Sequence, residues 1–291
     1  MILIAFISPI ELLAYSNYSD IDMILTPLVV GPQQTKKYIN FYKKSKRYKI
    51  LDNGAFEMEE KGVGCNFYDV IEAAKIISAN EIVLTDYLYD CEKTIDATYH
   101  CLDILRKERM LGKFVLHTVP QGSNEEEWMD CFDTMMSIEE IDVIGLSKLS
   151  VPKCFGKSKS HEKEGSVAKS RIKAIKHIVS SGLYKVEKNY LQKKHHKGKQ
   201  IHLLGGDNWT PYELSILNKY SFIRSIDTSM PVWYGLHCKK IDIIIGKCND
   251  SLGKVNLFIR KKINPESNTS ILHNLLVTFK FSKHQMVVDI R

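Results

Sequence analysis

The chain of 291 residues has no cysteine framework. Its seven cysteines, at positions 65, 91, 101, 131, 154, 238 and 248, are odd in number and scattered. That excludes a disulfide-framed secreted scaffold and points to a reducing, cytoplasmic setting. No apolar run approaches the roughly 20 residues that span a bilayer, so no membrane association is expected. The apolar opening from Met1 has no basic region and is broken by Pro9 and Glu11, so it reads as a first strand, not a leader. No glycine-rich phosphate-binding turn follows it, which weighs against an open dinucleotide-binding sheet. No repeat with a period of roughly 20–50 residues is evident. With 44% hydrophobic and 26% charged residues, the chain is composed like an ordinary folded protein.

What the sequence does contain is an alternation of short apolar runs with stretches of helical periodicity. The runs fall at 2–8, 23–30, 48–52, 81–86, 114–118, 141–146, 201–204 and 222–227. Helical patterns lie between them, near 11–18, 35–44, 67–78, 94–110, 125–136, 167–180 and 211–220. Eight β/α units is the number that closes a parallel barrel, so the expected class is α/β, a (β/α)8 TIM barrel over residues 1–235. Residues 236–291 are expected to form a small α+β appendage packed on the barrel. It would hold a helix or hairpin near 241–245, a run at 255–260 and a turn at 264–268.

Charge is unevenly distributed. The formal net charge is +7, yet the segment 153–199 alone holds 14 Lys and Arg against three acids. The remainder is therefore slightly acidic. Such a cluster, expected as a basic insertion in the barrel, attracts polyanions, nucleic acid above all, and Lys185, Lys188, Lys193, Lys194, Lys197 and Lys199 are its candidate phosphate contacts. A solvated lysine-rich surface is the plainer alternative.

In a parallel barrel the C-terminal strand ends face one another around one mouth. That rule gathers Asp52, Asp86, Gln121, Gly145 with Ser147, Gly205 with Gly206, and Asp227, which ends the run 222–227 just before Pro231. These strand ends carry no His or Cys, which argues against a zinc hydrolase. Paired carboxylates are what glycosidic chemistry uses, one attacking the anomeric carbon and one moving protons. Taken singly, Asp227 also fits a cap or an ion pair, Asp52 before Asn53-Gly54 a turn, and Asp86 and Asp90 a helix cap.

The motifs at these ends resemble, in order, those of the tRNA-guanine transglycosylases and their phage and bacterial DNA-modifying relatives. Leu51-Asp52-Asn53-Gly54-Ala55-Phe56-Glu57 resembles the family's Asp-Ser-Gly-Gly-aromatic-Gln, and Thr85-Asp86-Tyr87 with Asp90 its base-binding Asp segment. Val119-Pro120-Gln121-Gly122 is similar to Val-Gln-Gly, Ile144-Gly145-Leu146-Ser147 to Gly-Gly-Leu, and His202-Leu203-Leu204-Gly205 to Leu-Met-Gly. Asp227-Thr228-Ser229-Met230-Pro231 resembles Asp-x-x-x-Pro. The resemblance implies Asp227 as nucleophile and Asp52 as general acid/base. It implies that Asp86, Gln121, Gly122, Gly145 and Gly205 bind the base, sandwiched between Phe56 and Leu204. The activity implied is exchange of guanine for a 7-deazaguanine such as preQ0, without cofactor or metal, in a cell or, for a phage protein, in its host's cytoplasm. The RNA enzymes' Cys-x-Cys-x-x-Cys plus His zinc site is not matched by Cys238 and Cys248 with His237, His273 and His284. DNA is therefore expected over tRNA. A tRNA-modifying enzyme, a non-catalytic nucleic-acid-binding subunit of the same kind and a sugar- or phosphate-processing barrel are the alternatives, and a homodimer is left open.

Overall fold

Strands only three to six residues long, each returned to the same sheet edge by the chain that follows it, pair in parallel. The computed structural model describes residues 1–54, 66–156, 165–182, 184–187, 190–193, 199–250 and 252–283, the side chains of 184–187 and 190–193 excepted. The strands in chain order are β1 (Leu3–Phe6), β2 (Asp22–Leu25), β3 (Lys49–Asp52), β4 (Glu81–Val83), β5 (Val115–Thr118), β6 (Val143–Ser147), β7 (Tyr184–Glu187), β8 (Tyr190–Lys193), β9 (Gln200–Leu204) and β10 (Ile223–Thr228). Eight form one all-parallel sheet in the order β1-β10-β9-β6-β5-β4-β3-β2, and these are the eight expected runs. The sheet curls into a nearly closed barrel. Its seam between β1 and β2 is bridged by Asp20, whose N–H donates to the Ile4 carbonyl at 2.8 Å while its Oδ2 accepts from the Ile4 N–H at 3.1 Å. The antiparallel pair β7 and β8 stands as a separate two-stranded sheet inside the basic segment.

The helices are α1 (Lys36–Lys44), α2 (Phe67–Ile77), α3 (Cys91–Lys107), α4 (Glu125–Ser137), α5 (Ser150–Phe155), α6 (Ser166–Ser180), α7 (Thr210–Leu217), α8 (Met230–Leu236) and α9 (Pro265–Lys283). Four of them start on a side-chain cap: Thr35, Asn66, Asp90 and Asn124 each accept a first-turn N–H. Asp90 is thus the cap that its sequence position allowed. Apolar faces such as Trp128, Cys131, Phe132, Met135 and Met136 of α4 pack on the outside of the sheet in one large core.

The C-terminal segment does not take the expected α+β form among the described residues. It runs as loop to residue 264 and then as the single long helix α9, with no strand. The expected turn at 264–268 is the start of that helix, where Asn264 Oδ1 accepts from Ser267 N at 2.8 Å. The helix docks on α8 so closely that a Cβ on Gly235 would lie 2.5 Å from the Ile271 backbone. Asn274 Nδ2 donates to the Lys239 carbonyl at 2.8 Å, and its Oδ1 accepts from Ile241 N at 2.8 Å.

The basic segment is only partly surface. Arg171, on α6, is buried; its guanidinium grips Glu213 of α7 (Nε–Oε1 2.8 Å, Nη2–Oε2 2.9 Å) and donates to the carbonyls of Leu146 and Leu204. This ties two helices to the ends of β6 and β9. Removing one partner of such a pair strands the other charge. Arg171→Met should lower stability to urea by about 3–5 kcal/mol, and adding Glu213→Leu should restore most of it; a double variant no more stable than the single one contradicts this.

Candidate active site at the barrel mouth

Side chains alternate along a strand, so parity decides what enters the barrel. In β9, Ile201 and Leu203 pack outward in the main core, while Leu204 belongs to a smaller inner cluster with Ala5, Met23, Ile50, Val83 and Val119. His202 shares the inward parity of Leu204, and Ser225 and Asp227 take the matching positions on β10. At Arg224 the ladder between β10 and β9 slips, pairing Ile223 with Ile201 but Ser225 with His202. Such an irregularity re-aims a side chain, and here the guanidinium turns back to the floor of the barrel.

That floor is polar. Arg224 forms two 2.9 Å bonds to Glu81, which also accepts from Tyr48 Oη at 2.9 Å and lies 2.9 Å from His117 Nδ1. Burial opposes the charge on Glu81, but His117 and Arg224 outweigh it and hold its carboxyl down at about 2. Burial dominates at His117 and pushes its imidazole down to about 4 despite Glu81. Neutral His117 therefore donates through Nδ1, while its buried Nε2 has no hydrogen-bond partner among the described residues. A Cβ on Gly145 would lie 2.5 Å from that nitrogen, so Gly145 makes room for the ring.

One layer higher, Arg224 Nε donates to Ser225 Oγ at 3.1 Å, Ser225 Oγ lies 2.7 Å from His202 Nδ1, and His202 Nε2 lies 3.1 Å from Asp227 Oδ1. The Gly205 N–H donates to the same oxygen at 2.7 Å. Gly205 holds φ +75°, and a Cβ there would lie 2.5 Å from Lys148 Cδ, so only glycine aims this N–H without strain. Burial opposes ionisation of Asp227, but the hydrogen bond and electrostatic pull of His202, the Gly205 N–H and the charge of Lys148 prevail and hold the carboxyl below its ordinary range. Both bonds fall on Oδ1, leaving Oδ2 for the cavity that Asp227 lines.

The cavity is about 120 Å³, close to the roughly 150 Å³ that accepts a benzene ring. Its wall includes Asp52, Asn53, Asp86, Leu204, Gly205 and Asp227, with Lys148 and Lys254 also bordering it. Asp86 is nearly buried and held from two sides, by Asn53 Nδ2 at 2.8 Å and Gln121 Nε2 at 2.6 Å. Asp52 Oδ2 accepts from Gly54 N at 3.2 Å, so the turn reading of Asp-Asn-Gly and its place at the cavity hold together.

Of the residues expected to share a site, Asp52, Asp86, Leu204, Gly205 and Asp227 meet at the cavity. Gln121 is fully buried behind Asp86, and Gly122 packs under the first turn of α4, where a Cβ would lie 2.5 Å from Trp128 N. Gly145 lies deeper, against His117. Phe56, Lys188, Lys194 and Lys197 lie outside the described residues, as do the side chains of Lys185 and Lys193. Lys199 is not a surface cation: it is buried, with Nζ donating to the carbonyls of Ile138 and Ile141, so it is corrected from phosphate contact to core anchor. Sequence reasoning gave no role to His202, Ser225, Arg224, Asn53, Lys148 or Lys254. It also expected no imidazole near the strand ends, whereas His202 lies just below the mouth; its inward parity with Leu204 was the available signal.

The floor has a pH signature. His117 is held neutral at about 4, against about 6.5 in an unfolded chain. The unfolded chain therefore takes up a proton that the folded one refuses, and stability falls as pH drops through that window. Glu81, held at about 2, stabilises above its unfolded value and loses that contribution as pH falls further. Urea midpoints should fall from pH 6.5 to 4, by up to roughly 3 kcal/mol from His117; in His117→Gln the slope over this window should flatten, and an unchanged slope would mean that His117 is not its source.

Comparison of the chain with models of known protein families and with curated proteins finds no match, so a functional reading has to rest on the mouth of this barrel and on its motifs.

Proposed function

We propose that the chain is a base-exchange transglycosylase that replaces guanine in DNA with a 7-deazaguanine, preQ0 or a derivative, through a covalent Asp227-glycosyl intermediate. The observation that carries the reading is Asp227 itself: a carboxylate held ionised by two donors on one oxygen, at the wall of a cavity shared with Asp52 and Asp86. The motif resemblance supplies the choice of base.

The target nucleoside has to leave the helical stack, at a cost of a few kcal/mol. Lys148 and Lys254 at the mouth and the lysines of the basic segment favour the accompanying phosphates. The amides of Asn53 and Gln121 fix the carboxyl group of Asp86 at the cavity wall, where it is placed to read the N–H edge of guanine. Gln121 then serves the base through Asp86. The resemblance adds Phe56 and Leu204 as the faces against which the base stacks. A lone pair of Asp227 Oδ2 forms the bond to C1′ as the C1′–N9 pair leaves on guanine, which takes a proton from Asp52. The incoming 7-deazaguanine returns a proton to Asp52 as its N9 attacks C1′, and the C1′–O pair returns to Asp227. Two displacements retain the anomeric configuration.

Labelled preQ0 offered with duplex DNA or with tRNA should enter DNA; entry into tRNA alone would reassign the substrate. Asp227→Ala should abolish both exchange and the adduct that survives denaturation, and a fully active variant removes the mechanism. Replacing Lys185, Lys188, Lys193 and Lys194 by Gln should weaken DNA binding and flatten its salt dependence by about 0.9 in log–log slope for each phosphate left without its lysine; an unaltered slope places the polyanion elsewhere.

A further inference from the structure

We infer that His202 is the positioning residue of Asp227: its imidazole, held from the barrel core through Ser225, keeps the carboxylate in one rotamer with Oδ2 turned to the cavity. Its catalytic meaning rests on the proposed role of Asp227; its structural content does not.

The orientation of the imidazole follows from the contacts beneath it. A guanidinium only donates, and Arg224 is aimed by its two bonds to Glu81. Arg224 Nε–H therefore points at Ser225 Oγ, 3.1 Å away. Ser225 Oγ in turn lies 2.7 Å from His202 Nδ1. An ionised carboxylate only accepts, so His202 Nε2–H donates to Asp227 Oδ1 at 3.1 Å. Each member is oriented by the one below it, so the nucleophile is aimed from the floor of the barrel.

Other charged and titratable groups face this unit from several elements. Lys148 approaches Asp227 from the end of β6, Asp52 and Asp86 border the cavity from the ends of β3 and β4, and Lys254 from the C-terminal loop. His117 of β5 meets the His202 ring edge to face at 5.4 Å. Among the described residues, however, hydrogen bonds to Asp227 come from His202 and from the Gly205 backbone, and of these only His202 is a side chain. When Asp227 becomes an ester its charge is lost and the His202 bond weakens; when the carboxylate re-forms, the bond strengthens again. His202 thus aligns Asp227 for the first displacement and favours its departure in the second.

The test is carbon-13 carboxyl NMR on the full chain, with Asp227→Asn identifying the resonance. The Asp227 titration midpoint should rise by roughly one to two pH units in His202→Leu and return part of the way in His202→Gln, which keeps a donor. Exchange on duplex DNA should fall roughly 10- to 100-fold in kcat in the Leu variant, with KM for DNA unchanged and its acid limb moved to higher pH. If the Leu variant does not fold, Ser225→Ala, which removes the contact that braces Nδ1, takes its place with a midpoint shift in the same direction. An unmoved midpoint in a folded variant overturns the inference whatever the activity. A moved midpoint in a chain whose wild type exchanges no base on DNA or tRNA upholds the inference and sinks the transglycosylase reading instead.

Discussion

Glu81 and Arg224 lie on β4 and β10, four places apart in the ring of eight strands and so on opposite sides of the barrel. Their paired 2.9 Å bonds cross its floor. Apolar side chains could fill that space at lower desolvation cost, and losing either partner leaves a buried charge, typically a penalty of about 3–5 kcal/mol. The pair also imposes direction, which an apolar plug cannot. Glu81 fixes which nitrogen of His117 carries its proton, and Arg224 holds Ser225 in place beneath His202. A barrel is usually filled by layers of branched apolar residues; here one layer is replaced by a polar column leading to Asp227.

The mouth is finished by the C-terminal segment. Lys254 reaches the cavity because the loop around it is tied down on both sides: Trp233 Nε1 donates to the Gly253 carbonyl at 3.1 Å, and Ile10 N donates to the Leu257 carbonyl at 2.8 Å. The loop leads into α9, which packs on α7 and α8. The segment that looks like an appendage in sequence is therefore structurally part of the eighth unit and of the cavity wall.

The barrel was legible because each strand is an apolar run of limited length and each helix carries its own periodicity. Asp52, Asp86 and Asp227 were legible because a carboxylate closing an apolar run has few other places to be. The helix α9 was hidden because its buried positions include Ser267, Ser270, Asn274, Thr278 and Ser282. They are spaced like a helix face but polar, and small enough for the backbone contact at Gly235. The role of Arg224 was hidden by the slip in the ladder, since strict alternation points it away from the interior. Lys199 was misread because a run of lysines looks uniformly solvated, and nothing local marks the one whose ammonium finds two carbonyls. His202 sits in an ordinary apolar stretch, where only its partner on the neighbouring strand shows what it does.

The interior also has an uneven charge balance. Glu81 is matched by Arg224, and His117 is neutral, so the floor carries no net charge. Asp227 is held by a backbone N–H and an imidazole nitrogen, with the ammonium of Lys148 acting from the side. It lies at the wall of the cavity where the barrel opens, whereas Glu81 is closed off at the floor by two bonds from one guanidinium. In the proposed exchange, positive charge develops on the sugar ring at this end of the column. A carboxylate already fixed by its hydrogen bonds stabilises such charge without needing to reorganise. A flexible donor in place of His202 could bond the same oxygen, but the planar imidazole, braced at Nδ1 by Ser225, donates from a fixed direction and leaves Oδ2 to the cavity.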